Sequence, residues 1–382
     1  MLDTPSLDLF AVQREELRSR LAETTAGRWS NSELTRWLNL AAQEFQARAK
    51  VLTRNKSYST VAAQQRYTLP RDYMLPIAHW YQPGILVRPL VKRNIAELLT
   101  WSHETGNPQF HAVNENDRED WLHPVPDASA ETTQLNGALN ATATTITTDD
   151  TTDFPERGRI IIDEEVIYYT GTTSTTFTGC VRGYEDTKAE SHSDDATVTW
   201  RDVEYSYYPI PRYRSKIYTT GTVAITYEST TVTGTSTAWA APAVAAGMFL
   251  GVGSMGSLSV ASTTFPVKWY EIESVGGTTS ITLVDEFDEA TVAAGTSYII
   301  TERVDMPEKY CGAVIEIAMI FSTMKDDNYK QVPLWNARVE EIVKRAMGET
   351  ALPPDYLPIS RDHSGVLPGV PQYPSNYPPR YS

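Results

Sequence analysis

Trp29-Ser-Asn-Ser-Glu-Leu-Thr-Arg-Trp-Leu-Asn-Leu-Ala-Ala42 carries its own start signal for a helix. Ser30 and Glu33 have the spacing of a capping box, in which each side chain satisfies the other residue's amide, and Trp29 and Leu34 are placed as a hydrophobic staple across it. Behind that cap, Leu34, Trp37, Leu38, Ala41, Phe45, Ala49 and Leu52 recur at i, i+3, i+4 and i+7, so they share one apolar stripe. Upstream, a helix over about Asp8 to Glu23 sets Phe10, Leu17 and Leu21 on one side, and Gly27 marks its stop. It reads as a hairpin partner. Near the other end, Asp305 and Glu308 repeat the capping-box spacing around Pro307, and Tyr310, Ala313, Val314, Ile317, Ile320, Phe321 and Met324 form a face broad enough to be buried on two sides. Pro333 opens a last helix with Trp335, Val339, Ile342, Val343 and Ala346 inward, and Gly348 is its expected stop. Neither terminal pair can bury its stripe alone, which predicts one bundle made from both ends of the chain.

Charge and composition separate this body from what lies between. The chain has 382 residues, with 48 Asp plus Glu against 33 Lys plus Arg, a net charge of −15. Residues 131–200 contain 13 acids and 4 bases, and residues 215–302 contain 8 acids and 2 bases. The remaining residues hold 27 of each sign, so the two segments carry the entire excess. Both are rich in Thr, whose β-branched side chain suits a pleated surface and disfavours helix. The first places strands at Ala143–Thr148, Gly158–Asp163, Glu165–Thr170 and Thr176–Gly183. The second places them at Thr222–Tyr227, Thr231–Thr233, Gly247–Leu250, Trp269–Glu273 and Ser280–Val284. Each is predicted to be a compact barrel or sandwich.

The fold class is therefore α+β. Residues 1–130 hold the N-terminal part of the body, 131–200 the first inserted acidic module, 201–214 a return strand, 215–302 the second module, 303–350 the C-terminal helices and 351–382 an extended arm. In the first part, Lys56–Val61 and Arg66–Leu69 read as a hairpin, Ile85–Arg88 as a strand and Asn94–Trp101 as a short helix, with strands near Phe110–Val113 and Trp121–His123. Asp202–Tyr208 looks like a return to that sheet. The arm has eight Pro and four Tyr in its 32 residues, a composition for extended polyproline-like backbone. Tyr356, Leu357, Val366, Leu367, Val370, Tyr373, Tyr377 and Tyr381 supply anchors for a partner surface.

Signals for chemistry are sparse. Broad nucleic-acid binding needs clustered Lys and Arg, which the net charge argues against. The first ten residues have two acids and no basic stretch, and no run of about 20 apolar residues occurs, so neither a secretory signal nor a membrane span is expected. Cys180 and Cys311 are too few for a disulfide framework or a Cys-rich zinc site and read as buried thiols. No Walker loop or Gly-x-Ser-x-Gly elbow is present. None of His79, His103, His111, His123, His192 and His363 has a partner at metal-ligand spacing, so no metal, cofactor or catalytic residue is expected. Glu164 and Glu165 are adjacent, but neighbours in a strand point to opposite faces, unlike a pair of glycosidase carboxyls. They read as solvated edges, as do Asp285, Glu286, Asp288 and Glu289, whose order does not match a calcium loop.

The body resembles the head-to-tail adaptor, or connector, proteins of tailed bacteriophages. The resemblance rests on Trp29–Ala42, Tyr67-Thr-Leu-Pro-Arg-Asp-Tyr73, Gly106-Asn-Pro-Gln-Phe110, Trp121-Leu-His-Pro-Val-Pro-Asp127 and Met306-Pro-Glu-Lys-Tyr310, and covers about residues 8–130 and 303–348. Residues 139–183 similarly resemble a small β module of phage virion proteins through Asp153-Phe-Pro and Phe177-Thr-Gly-Cys-Val-Arg-Gly183. The adaptor resemblance implies a non-enzymatic virion protein of the neck, assembled in the host cytoplasm as a homo-oligomeric ring, normally a dodecamer, beneath the portal protein. Genomic DNA passes through such a ring without sequence-specific binding, and the C-terminal arm, here 351–382, clasps the portal. The inserted modules would face outward, toward tail, nozzle or fibre proteins. An alternative class is a glycan-binding or glycan-cleaving virion β protein, suggested by aromatic-rich strands near acids, in which Glu164 and Glu165 would act.

Overall fold

The computed structural model describes residues 7–23, 28–82, 84, 86–240, 242–253, 268–325 and 332–350. The protein is α+β, with sheet predominating and five helices among the described residues: α1 (Phe10–Arg20), α2 (Asn31–Ala49), α3 (Ile95–Leu98), α4 (Glu308–Lys325) and α5 (Val332–Thr350). No helix among them is long and apolar enough to cross a membrane.

Helix α2 starts as its sequence predicts. Ser30 accepts from the Glu33 amide, and Glu33 accepts in return from the Ser30 amide at 3.0 Å. Its stripe meets the other long helices in one core: Leu34, Trp37, Leu38, Ala41, Phe45 and Ala49 pack with Phe10 and Leu17 of α1, Tyr310 to Ile320 of α4, and Val339, Val343 and Ala346 of α5. Helix α4 is buried around most of its circumference, in keeping with its apolar breadth. Helix α1 ends at Arg20, short of Gly27, which lies outside the described residues. It has no side-chain cap. The Phe10 amide donates to the Glu302 carbonyl at 3.0 Å and the Ala11 amide to the Thr301 hydroxyl at 3.1 Å, so a strand end supplies the missing acceptors. Its second face, Leu9, Ala11 and Val12, packs on Phe249, Trp269 and Ile299. With cores on two sides, α1 also buries Gln13, Arg14, Glu15 and Arg18, which is why its sequence shows only a thin stripe.

Two local readings at the C-terminal helices are corrected. Asp305 does not form a capping box with Glu308. The helix begins at Glu308, and the Asp305 carboxylate accepts from Arg54 at 2.5 Å and from the Arg212 amide at 2.7 Å. Gly348 does not stop α5, which continues to Thr350.

Two four-stranded sheets share a core, and α3 packs Leu98 on Ala112 and Trp121 of the second. The first runs Arg54–Tyr58, Val203–Pro209, Tyr73–Tyr81, Arg88–Pro89, and the second Arg66–Thr68, Glu119–His123, Phe110–Asn114, Val91–Lys92. The hairpin expected from Lys56–Val61 and Arg66–Leu69 does not form: Lys56 pairs with Tyr205, and Arg66 with Trp121. Each finds a longer partner strand in a different sheet. The strand expected at Ile85–Arg88 reduces to Arg88–Pro89 at an edge, where proline needs no ladder partner for the N–H it lacks. Leu86 and Val87 are exposed, and Ile85 lies outside the described residues. The longest strand, Tyr73–Tyr81, went unread because Pro76 interrupts its pattern. Between the sheets lies a tyrosine-rich core of Tyr58, Tyr67, Tyr73, Tyr81, Tyr205 and Tyr207 with Leu69, Leu90, Leu122 and Val203.

The Thr-rich segments form sheets, but none closes into a barrel. In residues 131–200, a five-stranded sheet in the order Val181–Tyr184, Glu165–Tyr169, Gly158–Ile162, Thr197–Trp200, Thr132–Gln134 and a three-stranded sheet enclose Ile146, Phe154, Ile160, Ile162, Tyr169, Phe177 and Trp200. In residues 215–302, an open eight-stranded sheet runs from Ile217–Tyr218 to Val292–Thr296 over a core that includes Trp239, Tyr270, Phe287 and Tyr298.

Candidate functional sites and family

Strand alternation determines which side chains meet between the two four-stranded sheets. His111 pairs with Leu122 and Val113 with Asp120, so His111 and Asp120 are diagonal neighbours on one face of a hairpin. His79 stands opposite Tyr205 on the other sheet. Packing the sheets places the His79 and His111 rings 3.8 Å apart, with Asp120 beside both. His111 Nδ1 lies 3.1 Å from Asp120 Oδ1, His79 Nε2 lies 3.5 Å from Oδ2, and the Tyr58 hydroxyl donates to Oδ2 at 2.7 Å. Both histidines and Asp120 are buried. Burial, against the pull of Asp120, holds the His79 pKa down to about 3, so the ring is neutral. Neither of its nitrogens has a hydrogen-bond partner among the described residues. Sequence reasoning missed this group because its members come from three strands and two sheets, and no sequence spacing encodes that.

A second polar site joins the first Thr-rich segment to the neighbouring sheet. The buried Glu185 carboxylate accepts from the Ser57 amide at 3.0 Å and the Ser57 hydroxyl at 2.6 Å, and it pairs with Arg159 at 3.3 Å. Arg159 also pairs with Glu204 at 2.7 Å. Nearby, Asp202 accepts from the Thr60 amide at 2.7 Å and from its hydroxyl. Burial pushes the Asp202 pKa up to about 6 despite those bonds. A cleft of about 490 Å³ opens beside this junction, lined in part by Trp80, Arg157, Tyr168, Tyr184 and Glu204.

The predicted carboxylate pair separates as strand geometry requires. Glu164 is exposed, and Glu165 is buried, not a solvated edge. Glu165 accepts from Arg182 at 2.8 and 2.7 Å, from the Gly183 amide at 2.8 Å and from the Glu190 amide at 3.1 Å, and meets His192 Nε2 at 2.8 Å. Burial opposes its charge, but these partners prevail and hold its pKa near 2. With both oxygens engaged, Glu165 ties the strand at Arg182 and Gly183 to the backbone at Glu190. In the acidic turn, Asp288 accepts from Lys268 at 2.6 Å and from Tyr270, and Glu289 accepts from Tyr270 at 3.2 Å. Cys180 and Cys311 are free buried thiols, as expected, with burial pushing their pKa values up to about 11 and about 12. The arm anchors Tyr356, Leu357, Val366, Leu367, Val370, Tyr373, Tyr377 and Tyr381 lie outside the described residues.

Residues 11–170 match the model of the family described as SU10 adaptor protein, a match that supports a phage head-to-tail adaptor. The match takes in α1, α2, both four-stranded sheets except Val203–Pro209, and the opening strands of the first Thr-rich segment. No curated protein matches the chain.

Proposed function

We propose that the protein assembles into a homo-oligomeric ring, a dodecamer, that joins the portal protein to the tail and surrounds the channel for genomic DNA. The observation that carries this reading is the adaptor match over residues 11–170, a stretch whose two long helices share a core with α4 and α5. Leu40, Met324, Leu334 and Met347 remain exposed on α2, α4 and α5. Apolar side chains of this kind suit contacts with a neighbouring copy. The arm follows α5 directly, so it is tethered to the helical core, and an extended segment on a portal surface adds contacts without needing a core of its own. Repetition around a ring multiplies a modest affinity per copy. The adaptor body thus consists of residues 1–130, 201–214 and 303–350, and the inserted modules at 131–200 and 215–302 face outward toward tail, nozzle or fibre proteins. The role is structural, not enzymatic, with assembly in the host cytoplasm and DNA held without sequence-specific contacts.

Native mass measurement and particle imaging of the purified protein with its portal test this reading. A ring that docks on the portal is expected. Deleting residues 351–382 should abolish docking while leaving the circular dichroism spectrum and melting midpoint unchanged; full docking by the truncated protein would remove the arm from the account.

A further inference from the structure

We propose that His79, His111 and Asp120 hold one zinc ion that clamps the two four-stranded sheets together. Each residue offers a ligand atom, and the three atoms lie within 4.8 Å of one another with all three residues buried. His111 Nδ1 lies 3.1 Å from Asp120 Oδ1 and His79 Nε2 lies 3.5 Å from Asp120 Oδ2, each near the ligand–ligand edge of about 3.3 Å for a tetrahedron with bonds of about 2.0 Å. Closing such a site parts the two rings, which stack 3.8 Å apart, and brings both nitrogens to one Asp120 oxygen.

A plain histidine–aspartate hydrogen bond is the rival account. It explains His111 but not His79, whose buried nitrogens make no hydrogen bond among the described residues. Buried polar atoms in folded proteins are nearly always satisfied, and a metal gives one of these nitrogens a partner. The donor set selects the ion. Two imidazoles disfavour magnesium and calcium, which take oxygen ligands, and suit zinc. Tyr58, donating to Asp120 Oδ2 at 2.7 Å, supplies the outer hydrogen bond that orients a ligating carboxylate. Position supports a structural role: His79 belongs to one sheet, His111 and Asp120 to the other, and the core between them is built largely of tyrosines.

Elemental analysis of the untagged full-length protein should find close to one zinc per chain. Unfolding in urea with dipicolinate and refolding without metal should lower the melting midpoint by about 5 °C, the scale expected when a ligand binds only the native state. Refolding with zinc should restore it, while magnesium should not. Refolding with cobalt should give the visible absorption of tetrahedral Co²⁺. Asp120→Asn and His79→Gln should lose the metal, whereas His123→Gln, on the same sheet but outside the cluster, should keep it. Protein that carries no stoichiometric metal when purified, and melts at the same temperature whether refolded with zinc, cobalt or chelator, overturns the proposal. Those measurements use the wild-type chain, so they decide the matter even if a variant fails to fold. Ring formation is measured separately and does not depend on the result.

Discussion

Asp202 and Glu165 are both buried carboxylates, and their partners drive them in opposite directions. Asp202 has two bonds from Thr60, too few to offset burial, and its pKa rises to about 6. Its unfolded value is about 3.9. Between those two values the native state binds more protons than the unfolded chain, so this group's contribution to stability falls as pH rises from about 4 to about 6, by about 2–3 kcal/mol in all. Urea titrations across that window should show the loss, and Asp202→Asn should flatten it. Glu165 behaves in the reverse sense. Arg182, His192 and two amides keep it ionised, so its contribution is present above about pH 4.5 and is lost as pH falls toward about 2. Glu165→Ala strips the partner from a buried arginine, and a loss of about 3–5 kcal/mol is expected in urea denaturation, with local loosening around Arg182 in hydrogen exchange. None of these partnerships is legible in the sequence. Glu165 reads as an exposed edge because Arg182 and His192 reach it across the fold of the segment, 17 and 27 residues away.

Helices were legible to the extent that their determinants are local. The Ser30–Glu33 box spans one helical turn and forms as the spacing predicts. Ser30→Ala should cost about 1 kcal/mol. Phe45→Ala, which empties a fully buried position where α2 meets Tyr310, should cost about 3–5 kcal/mol. Thermal melts of the two variants separate cap from core: if they shift the midpoint equally, the cap contributes more than local hydrogen bonding. The same spacing misled at Asp305, whose carboxylate is drawn to Arg54 across 251 residues of sequence. Strand positions within the Thr-rich segments were also legible, from β-branched runs between turn residues. Strand partners were legible only in part: Val203–Pro209 returns to the first sheet as expected, but Arg66–Thr68 pairs with Glu119–His123 and not with Arg54–Tyr58.

At the scale of the whole molecule, helices from opposite ends of the chain share one core, and α1 joins that core to the back of the eight-stranded sheet. On the proposed reading, removing residues 351–382 leaves the body's melting midpoint unchanged and abolishes docking on a portal, as pull-down of the truncated chain would report. Local sequence suffices for the periodic helices, the α2 cap, the strand-rich character of the two acidic segments and the resemblance to phage adaptors. Each of these rests on composition or on contacts a few residues apart. Packing of distant segments sets most sheet partners, the open form of the Thr-rich sheets, the burial of Glu165 and Asp202, and the meeting of His79, His111 and Asp120. Those features depend on packing that brings distant residues together, and burial then alters their chemistry by removing water.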